Sequence, residues 1–461
     1  MMWWWTVVAF ALGCGREAPL VSRPSGAPRS VVIRNVRIFD APAARLTNGP
    51  QDVLVRDGLI AAVGAPGLEA PDTPEIDGQG ATLLPGLVDV HAHTGSTAAP
   101  PTEIGGLPDI DANLAAFLYA GVTTALDLGN LTPAVFDERA EVASGERLGP
   151  RLYAAGPVFT APGGHPAEVL RAWLPWYLRW YVLPSATREV ATPEEARAAV
   201  AELLPARPDV LKITVDAGAR GDVPCLTGET IAAITTAGHA AGIRSVVHIG
   251  SSAEAIEVVQ NGADALAHAP WREEISDEAV VVIAAARVPV VPTLAVFDLG
   301  GTPRAHASDF LPIERQVAPA GLIETLLAPP PPPDEFTAAF IRVAAGASGA
   351  RRRNVAKLRA AGVTLLVGSD SSNPGQLPGA GLHLEMAKLV EAGMSPADVL
   401  RAATWENARF LAPDGADFGV IAPGKRANLL VVAGDPTTRI ADLQRITHVV
   451  LDGTPLVRRS R

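Results

Sequence analysis

Two imidazoles one residue apart, His91 and His93, close the run LLPGLVDVHAHTG at positions 83–95. Side chains two apart on a strand point the same way, so such a pair can grip one divalent cation from a single face. Neutral imidazole is the commonest side-chain ligand for these ions. Further along, Lys212 lies in LKITVD, His248 in VVHIG, His268 in GADALAHAP and Asp370 in VGSDSS. Leu211 and Ile213 flank Lys212, so alternation turns the lysine away from its apolar neighbours. A lone histidine at the end of an apolar run is usually a packing residue, a lone lysine is usually solvated, and an aspartate there often caps a loop. Four histidines, a lysine and an aspartate at the same ends of five such runs form a different kind of pattern, and the chemistry it fits is divalent-metal binding.

The elements that must position these groups are short apolar runs alternating with helical patterns. Strand candidates are LVDVHAH (87–93), VTTALDL (122–128), RLYAAG (151–156), VLKITV (210–215), SVVHI (245–249), ALAHA (265–269), VPVVPTL (288–294) and TLLVGSD (364–370). PEEARAAVAELL, GETIAAITTAGHAAG, SAEAIEVVQNG and FTAAFIRVAA intervene as helices. Eight strands alternating with helices predict an α/β fold, a (β/α)8 TIM barrel over 85–413, with its active site at the carboxyl ends of the strands. Val31 to Pro85 and the tail from 427 read instead as β-structure, with Asp57-Gly58 and Asp452-Gly453 as hairpin turns. Residues 28–84 and 414–461 are therefore expected to form one small β-sandwich from both chain ends. Three connections exceed the usual loop length, 94–110, 166–192 and 297–335. The second carries RAWLPWYLRWYVLP and the third five consecutive prolines, and these two read as lids over the carboxyl rim, the aromatic patch equally as an oligomer contact or plain packing.

With 48% hydrophobic residues in 461, the chain can bury a large core, and its net charge of -11 argues against a nucleic-acid partner. Only Cys14 and Cys225 occur, so disulfides are not what stabilises the fold. The apolar run Trp3 to Gly13 is too short to span a bilayer and suits a signal peptide. Ala11-Leu12-Gly13-Cys14 is similar to a bacterial lipobox, which would export the chain to the cell envelope and anchor it through lipidated Cys14; otherwise the chain is expected in the cytoplasm. Pro19 to Arg29 follows as a Pro/Ser linker, making 1–27 a signal and linker segment.

Taken together, LLPGLVDVHAHTG, GVTTALDLG, AAGPVFTAPGGHP, LKITVD, VVHIG, GADALAHAP, LLVGSDSSNPG and the tail GLHLEMAKLVEAGMSPADVLRAATWENARFLA with GVIAPGKRANLLVVAGDP resemble the amidohydrolase superfamily, in its imidazolonepropionase-like and prolidase-like branch. That resemblance implies a binuclear site, usually zinc. His91, His93 and Asp370 would hold one ion, His248 and His268 the other, and Lys212 would bridge them as a carbamate formed with carbon dioxide. Single-metal deaminase-like relatives lack this lysine. The implied reaction is attack of a metal-bridging hydroxide on an amide carbonyl, with Asp370 as general base and then general acid. His165, in PGGHP, would lie near the substrate.

The prolidase pattern is incomplete. Dipeptidase-like relatives often carry a tyrosine after the bridging lysine, whereas 216–226 has none and offers Arg220 as a carboxylate anchor instead. Ile249 follows His248, where relatives often show a second histidine. A small-molecule amide, such as a dipeptide or an N-acyl amino acid, is the expected substrate. The alternatives are a cyclic amide or lactone, a single-metal deaminase-like reaction, or a non-catalytic binding barrel. A homo-oligomer is expected.

Overall fold

The computed structural model describes residues 18–99 and 108–461. The expected signal and lipidation segment up to Cys14, and part of the 94–110 connection, lie outside the described residues.

Continuous apolar runs form the central strands because both of their faces are covered. Leu87–Ala92, Val122–Asp127 and Val210–Val215 are buried at every residue, which suits parallel strands walled by helices. The first two pair in parallel with each other and with Arg151–Ala154. A second parallel sheet joins Val158–Thr160, Val210–Val215, Arg244–Ile249, Ala265–Ala267 and Val290–Val291, with Thr187–Glu189 at its edge.

The eighth expected strand is present only as parallel bridges, Val290 to Leu365 and Ala92 to Ser371. The amides of Leu366 and Asp370 donate to the carbonyls of Val290 (2.9 Å) and His91 (2.7 Å). Gly368 permits this approach, since a Cβ there would lie 2.5 Å from His91 Cβ. Asn407 fastens the same seam. Its Nδ2 donates to the carbonyls of Val88 and Val367, both at 2.7 Å, while its Oδ1 accepts from Val367 N at 3.1 Å.

Both chain ends contribute to one nine-stranded sheet. Thr82–Pro85 pairs antiparallel with Leu429–Val432, which pairs antiparallel with Ile446–Leu451. Val31–Asp40 joins Thr82–Pro85 on one side and Gln51–Arg56 on the other. This sheet has its own core, including Val31, Ile33, Val53, Val55, Leu429 and Val431. Both expected turns have positive φ at each central residue, +49° and +84° at Asp57-Gly58 and +48° and +79° at Asp452-Gly453, as a tight two-residue hairpin requires.

One expectation is corrected. The segment read as a linker is partly built into the fold: Val21–Ser22 pairs antiparallel with Val457–Arg458, and Leu20 and Val21 are buried. An apolar pair beside an unpaired strand edge is enough to dock it. The long 166–192 connection is largely helical, with Ala167–Trp173 and Trp176–Ala186 ahead of the short strand Thr187–Glu189. The 297–335 connection likewise carries helices at Pro312–Val317 and Leu322–Leu327.

Asn407 is fully buried, so replacing it with alanine takes a hydrogen bond from two carbonyls and an amide, with only the Val367 carbonyl keeping another donor among the described residues, Val90 N at 3.3 Å. Asn407→Ala is expected to destabilise the chain by about 2–4 kcal/mol, from three buried hydrogen bonds and their desolvated leftovers. Chemical denaturation monitored by circular dichroism measures it, and a loss under about 0.5 kcal/mol, the range of an ordinary surface substitution, would contradict the fastening role.

Candidate functional site

The strand ends deliver five of the expected groups into direct contact. His91 lies in the first strand and His93 just beyond it. Asp370 reaches them from the eighth segment, its Oδ1 3.0 Å from His93 Nε2 and 3.4 Å from His91 Nε2. One ligand atom from each of these three residues lies within 4.8 Å of the other two. His268 Nε2 lies 4.0 Å from Asp370 Oδ2 and 3.0 Å from His248 Nδ1. Lys212 is buried on the neighbouring strand, two residues below the level at which Thr214 pairs with His248. Among the described residues its Nζ has no hydrogen-bond partner, and neither does His91 Nδ1.

Neighbouring groups fix which ring nitrogens are bare. His93 Nδ1 faces the Gly129 carbonyl at 3.0 Å. A carbonyl only accepts, so Nδ1 carries the proton, and in the neutral ring Nε2 points a lone pair at Asp370. His248 Nε2 donates to Asp216 Oδ2 at 3.0 Å, which leaves Nδ1 bare. The Thr293 hydroxyl gives its proton to the Pro292 carbonyl at 2.9 Å and accepts from His268 Nδ1, which leaves His268 Nε2 bare. Two lone pairs therefore meet at 3.0 Å between His248 and His268, and two more between His93 and Asp370. Each meeting requires a cation or a proton between the atoms.

Electrostatics separate these options. Burial, then the positive charge of Lys212, pushes His91 well below the ordinary imidazole range. Burial and then His248 do the same to His268, and burial also lowers His248. A proton between His248 and His268 is thus disfavoured. His93 differs: burial opposes its charge, but the Asp370 carboxylate outweighs burial and raises it. Burial brings Lys212 down to about 8. The arrangement has the donor set of a divalent-metal site, with imidazole nitrogens and a carboxylate converging and a buried amine alongside.

Supporting residues surround this cluster. Asp216 is buried and also accepts from Trp271 Nε1 at 2.8 Å, with Arg272 Nη1 3.5 Å away. Burial works against its charge, but His248 and Arg272 hold the carboxyl far below the usual range. Trp271 stacks on Phe297 (centroids 4.9 Å apart), and Phe297 packs edge-on against His268 at 5.0 Å. Asp89 lies fully buried under the site, accepting from the amides of His91 (3.1 Å) and Ser369 (3.0 Å), with burial pushing it up to about 7. Sequence reasoning passed over all of these. For Asp216 a signal existed, because positions 212, 214 and 216 share one face of a strand. For Thr293 and Trp271 none did.

The expected substrate residues part company. His165 packs against His248 with centroids 5.0 Å apart and the rings tilted by 44°, and its Nδ1 donates to Glu168 Oε1 at 2.8 Å. Burial opposes charge on this ring, and Glu168 outweighs it, raising the pKa. Arg220 is exposed and ion-paired with Asp222 at 2.7 Å, and among the described residues it makes no hydrogen bond or ion pair to the cluster. Elsewhere, His239 pairs with Asp264 at 2.8 Å on the outside, and His306 is exposed ahead of a short helical turn.

Comparison with known proteins places this arrangement. The amidohydrolase family model matches residues 82–456. A solved amidohydrolase superposes with a TM-score of 0.74 at 25% identity, covering 93% of this chain and 99% of that one. A solved Xaa-Pro dipeptidase with methionine bound in its active site gives 0.74 at 22% identity, over 93% and 100% of the two chains, a likeness of fold alone. Dihydroorotase of Mycobacterium tuberculosis is 39% identical over 105 residues, which span 23% of this chain and only 22% of that enzyme. With the family match running through both the central strands and the composite sheet, the chain belongs to the amidohydrolase family.

Proposed function

We propose that this chain is a metal-dependent hydrolase of carbon–nitrogen bonds, acting on small non-cyclic amides such as dipeptides or N-acyl amino acids. The proposed site is the carboxyl rim of a closed (β/α)8 barrel over 85–413, with 28–84 and 414–461 as a small β-sandwich beside it. The observation that carries this reading is the facing pair of bare nitrogens, His248 Nδ1 and His268 Nε2, 3.0 Å apart and resistant to protonation. Family membership and the parallel bridges on both sides of the eighth segment support it.

The residues fit two divalent ions, taken here as zinc. His91, His93 and Asp370 would hold one, His248 and His268 the other, and Lys212 would serve both as its carbamate. The carbamate forms when the neutral amine adds to the carbon of carbon dioxide and releases one N–H proton to solvent. Burial of Lys212 to about 8 leaves part of the amine neutral near physiological pH. Bound divalent ions supply Lewis acidity, polarising a carbonyl oxygen and acidifying water.

The protein's own groups do the rest. Asp370 is held by Asn373, whose Nδ2 donates to its carbonyl at 2.8 Å and to its Oδ1 at 2.9 Å. A carboxylate so placed can take the proton of an attacking water and return it to the departing amine nitrogen. His165, oriented by Glu168, stands beside His248 and can donate to a substrate carbonyl or carboxylate oxygen. Arg220, already paired with Asp222, would have to exchange that partner to bind a substrate carboxylate. The partial identity to dihydroorotase favours a second reading, hydrolysis of a cyclic amide. A panel of N-acyl amino acids, dipeptides, their amidated forms and cyclic imides separates the two, since loss of turnover on amidation marks a carboxylate-anchored, non-cyclic substrate.

Three outcomes are expected. Elemental analysis of the purified full chain should find about two divalent ions per chain, falling to one or fewer in Lys212→Ala; a stoichiometry indifferent to Lys212 would remove it from the site. Asp370→Asn should remain folded while kcat/KM drops by at least about 100-fold, as for a lost general base, and preserved turnover would move the proton transfer elsewhere. Asp216→Asn should weaken metal affinity in a chelator competition by about 10–100-fold, the usual effect of losing the carboxylate behind a ligating histidine; unchanged affinity would reduce Asp216 to packing.

A further inference from the structure

Among the described residues, nine large hydrophobic side chains are exposed, and six of them fall between Trp173 and Tyr181. Trp176 is 80% and Trp180 77% exposed, and Tyr177 and Tyr181 are each at least half exposed. All four belong to the helix Trp176–Ala186, of which no residue is buried. Spacings of one and four residues set Trp176, Trp180, Tyr177 and Tyr181 in two adjacent rows on one face. This face does not serve the core, and nothing in the proposed chemistry uses it.

Its composition selects a partner. Tryptophan and tyrosine are the side chains that settle at the boundary between lipid headgroups and acyl chains, with ring in the apolar side and N–H or O–H in the wet side. Trp176–Ala186 contains no acidic residue, although the chain as a whole carries a net charge of -11. Its one cation, Arg179, donates through Nε to the Leu174 carbonyl at 3.0 Å and is paired with no carboxylate among the described residues. Eleven residues of helix extend only about 16 Å, too short to cross a bilayer but long enough to lie along one. Independently, the lipobox-like Ala11-Leu12-Gly13-Cys14 ends only seven residues before Val21, where the chain is fastened to its last strand.

We propose that the aromatic face of Trp176–Ala186 is a membrane-surface docking site, which takes the interface of a bilayer containing anionic lipid while the N-terminal segment tethers the chain to it. The helix pair begins at Ala167, directly after His165 and Pro166, so docking would hold the His165 side of the site against the bilayer surface. A carboxyl-rim opening placed there would favour amphiphilic amides that partition into membranes. That last consequence rests on the hydrolase reading; the docking itself does not.

The test uses the full chain as Cys14→Ser, to remove lipidation, with Trp180→Cys carrying an environment-sensitive NBD label. Cys225, partly buried and with its thiol pushed up to about 12 by burial, reacts poorly with the label. Vesicles of phosphatidylcholine with phosphatidylglycerol are expected to raise the label's emission at least about twofold with a blue shift, and pure phosphatidylcholine vesicles less. The Trp176→Ser/Tyr177→Ser/Trp180→Ser/Tyr181→Ser variant, also made in Cys14→Ser, should partition into the same anionic vesicles at least about fivefold less. No change at the label while the chain is bound would show that the N-terminal segment alone binds, and would overturn the proposal. If the fourfold variant instead sediments as a smaller species with vesicle binding unaltered, the face is a contact between copies and the proposal also fails. Both readouts are independent of hydrolysis.

Discussion

Lone pairs that face one another and need a cation or a proton between them are the constraint on which this molecule turns. Bare imidazole nitrogens and a carboxylate oxygen gathered within about 4 Å repel, and burial removes the water that would otherwise relieve them. The assembly exists only because each contributor is fixed from behind by the fold. His91 and His93 extend from a strand buried at every residue, His248 and His268 come from adjacent parallel strands, and Asp370 is brought across by the Gly368 seam. A site of this kind raises the energy of the metal-free chain, so a cation that binds there stabilises the fold and the site together.

The supports behind the ligands divide the work by chemistry. A carbonyl behind His93, a carboxylate behind His248 and a hydroxyl behind His268 each leave one specific nitrogen bare. None of the three is interchangeable with the others. The carboxylate of Asp216 adds negative charge beside the second histidine pair, whereas Thr293 adds none and only orients. Asp216 is in turn held by Trp271 and Arg272, and Trp271 reaches His268 through Phe297. One structural unit thus orients both histidines of the second pair.

What the sequence disclosed follows from how local each signal is. Apolar runs bounded by breakers located seven of the eight central strands, because parallel strands buried on both faces need no long-range information to be recognised. The eighth proved to be bridges, and the positive φ of Asp370 takes its end out of extended backbone. The Asp-Gly hairpins were legible because only a few residues tolerate left-handed backbone at successive positions. The helix Trp176–Ala186 escaped notice because it buries no face against the core and Pro184 reads as a breaker. Thr293, Trp271 and Asn407 could not have been found, because each acts on a residue whose proximity depends on the finished fold. The docked Leu20-Val21 pair was missed for the same reason: its partner strand lies at the opposite end of the chain.

Two residues of the site adopt left-handed backbone without being glycine, Thr293 at φ +48° and Asp370 at φ +55°. Each such placement costs on the order of 1 kcal/mol or more and persists only where the surroundings overdetermine it. At Asp370 the amide donates to the His91 carbonyl at 2.7 Å, and Asn373 grips both the carbonyl and the carboxylate. At Thr293 the hydroxyl is committed to Pro292 and His268, and the following helix begins at once with its Ala295 amide on buried Glu385. An extended backbone at either position would continue the strand and carry the side chain past the cluster. The strain therefore sits at the two points where a strand must stop so that its last side chain can turn inward, which ties the irregular strand ends to the chemistry that the regular strands only frame.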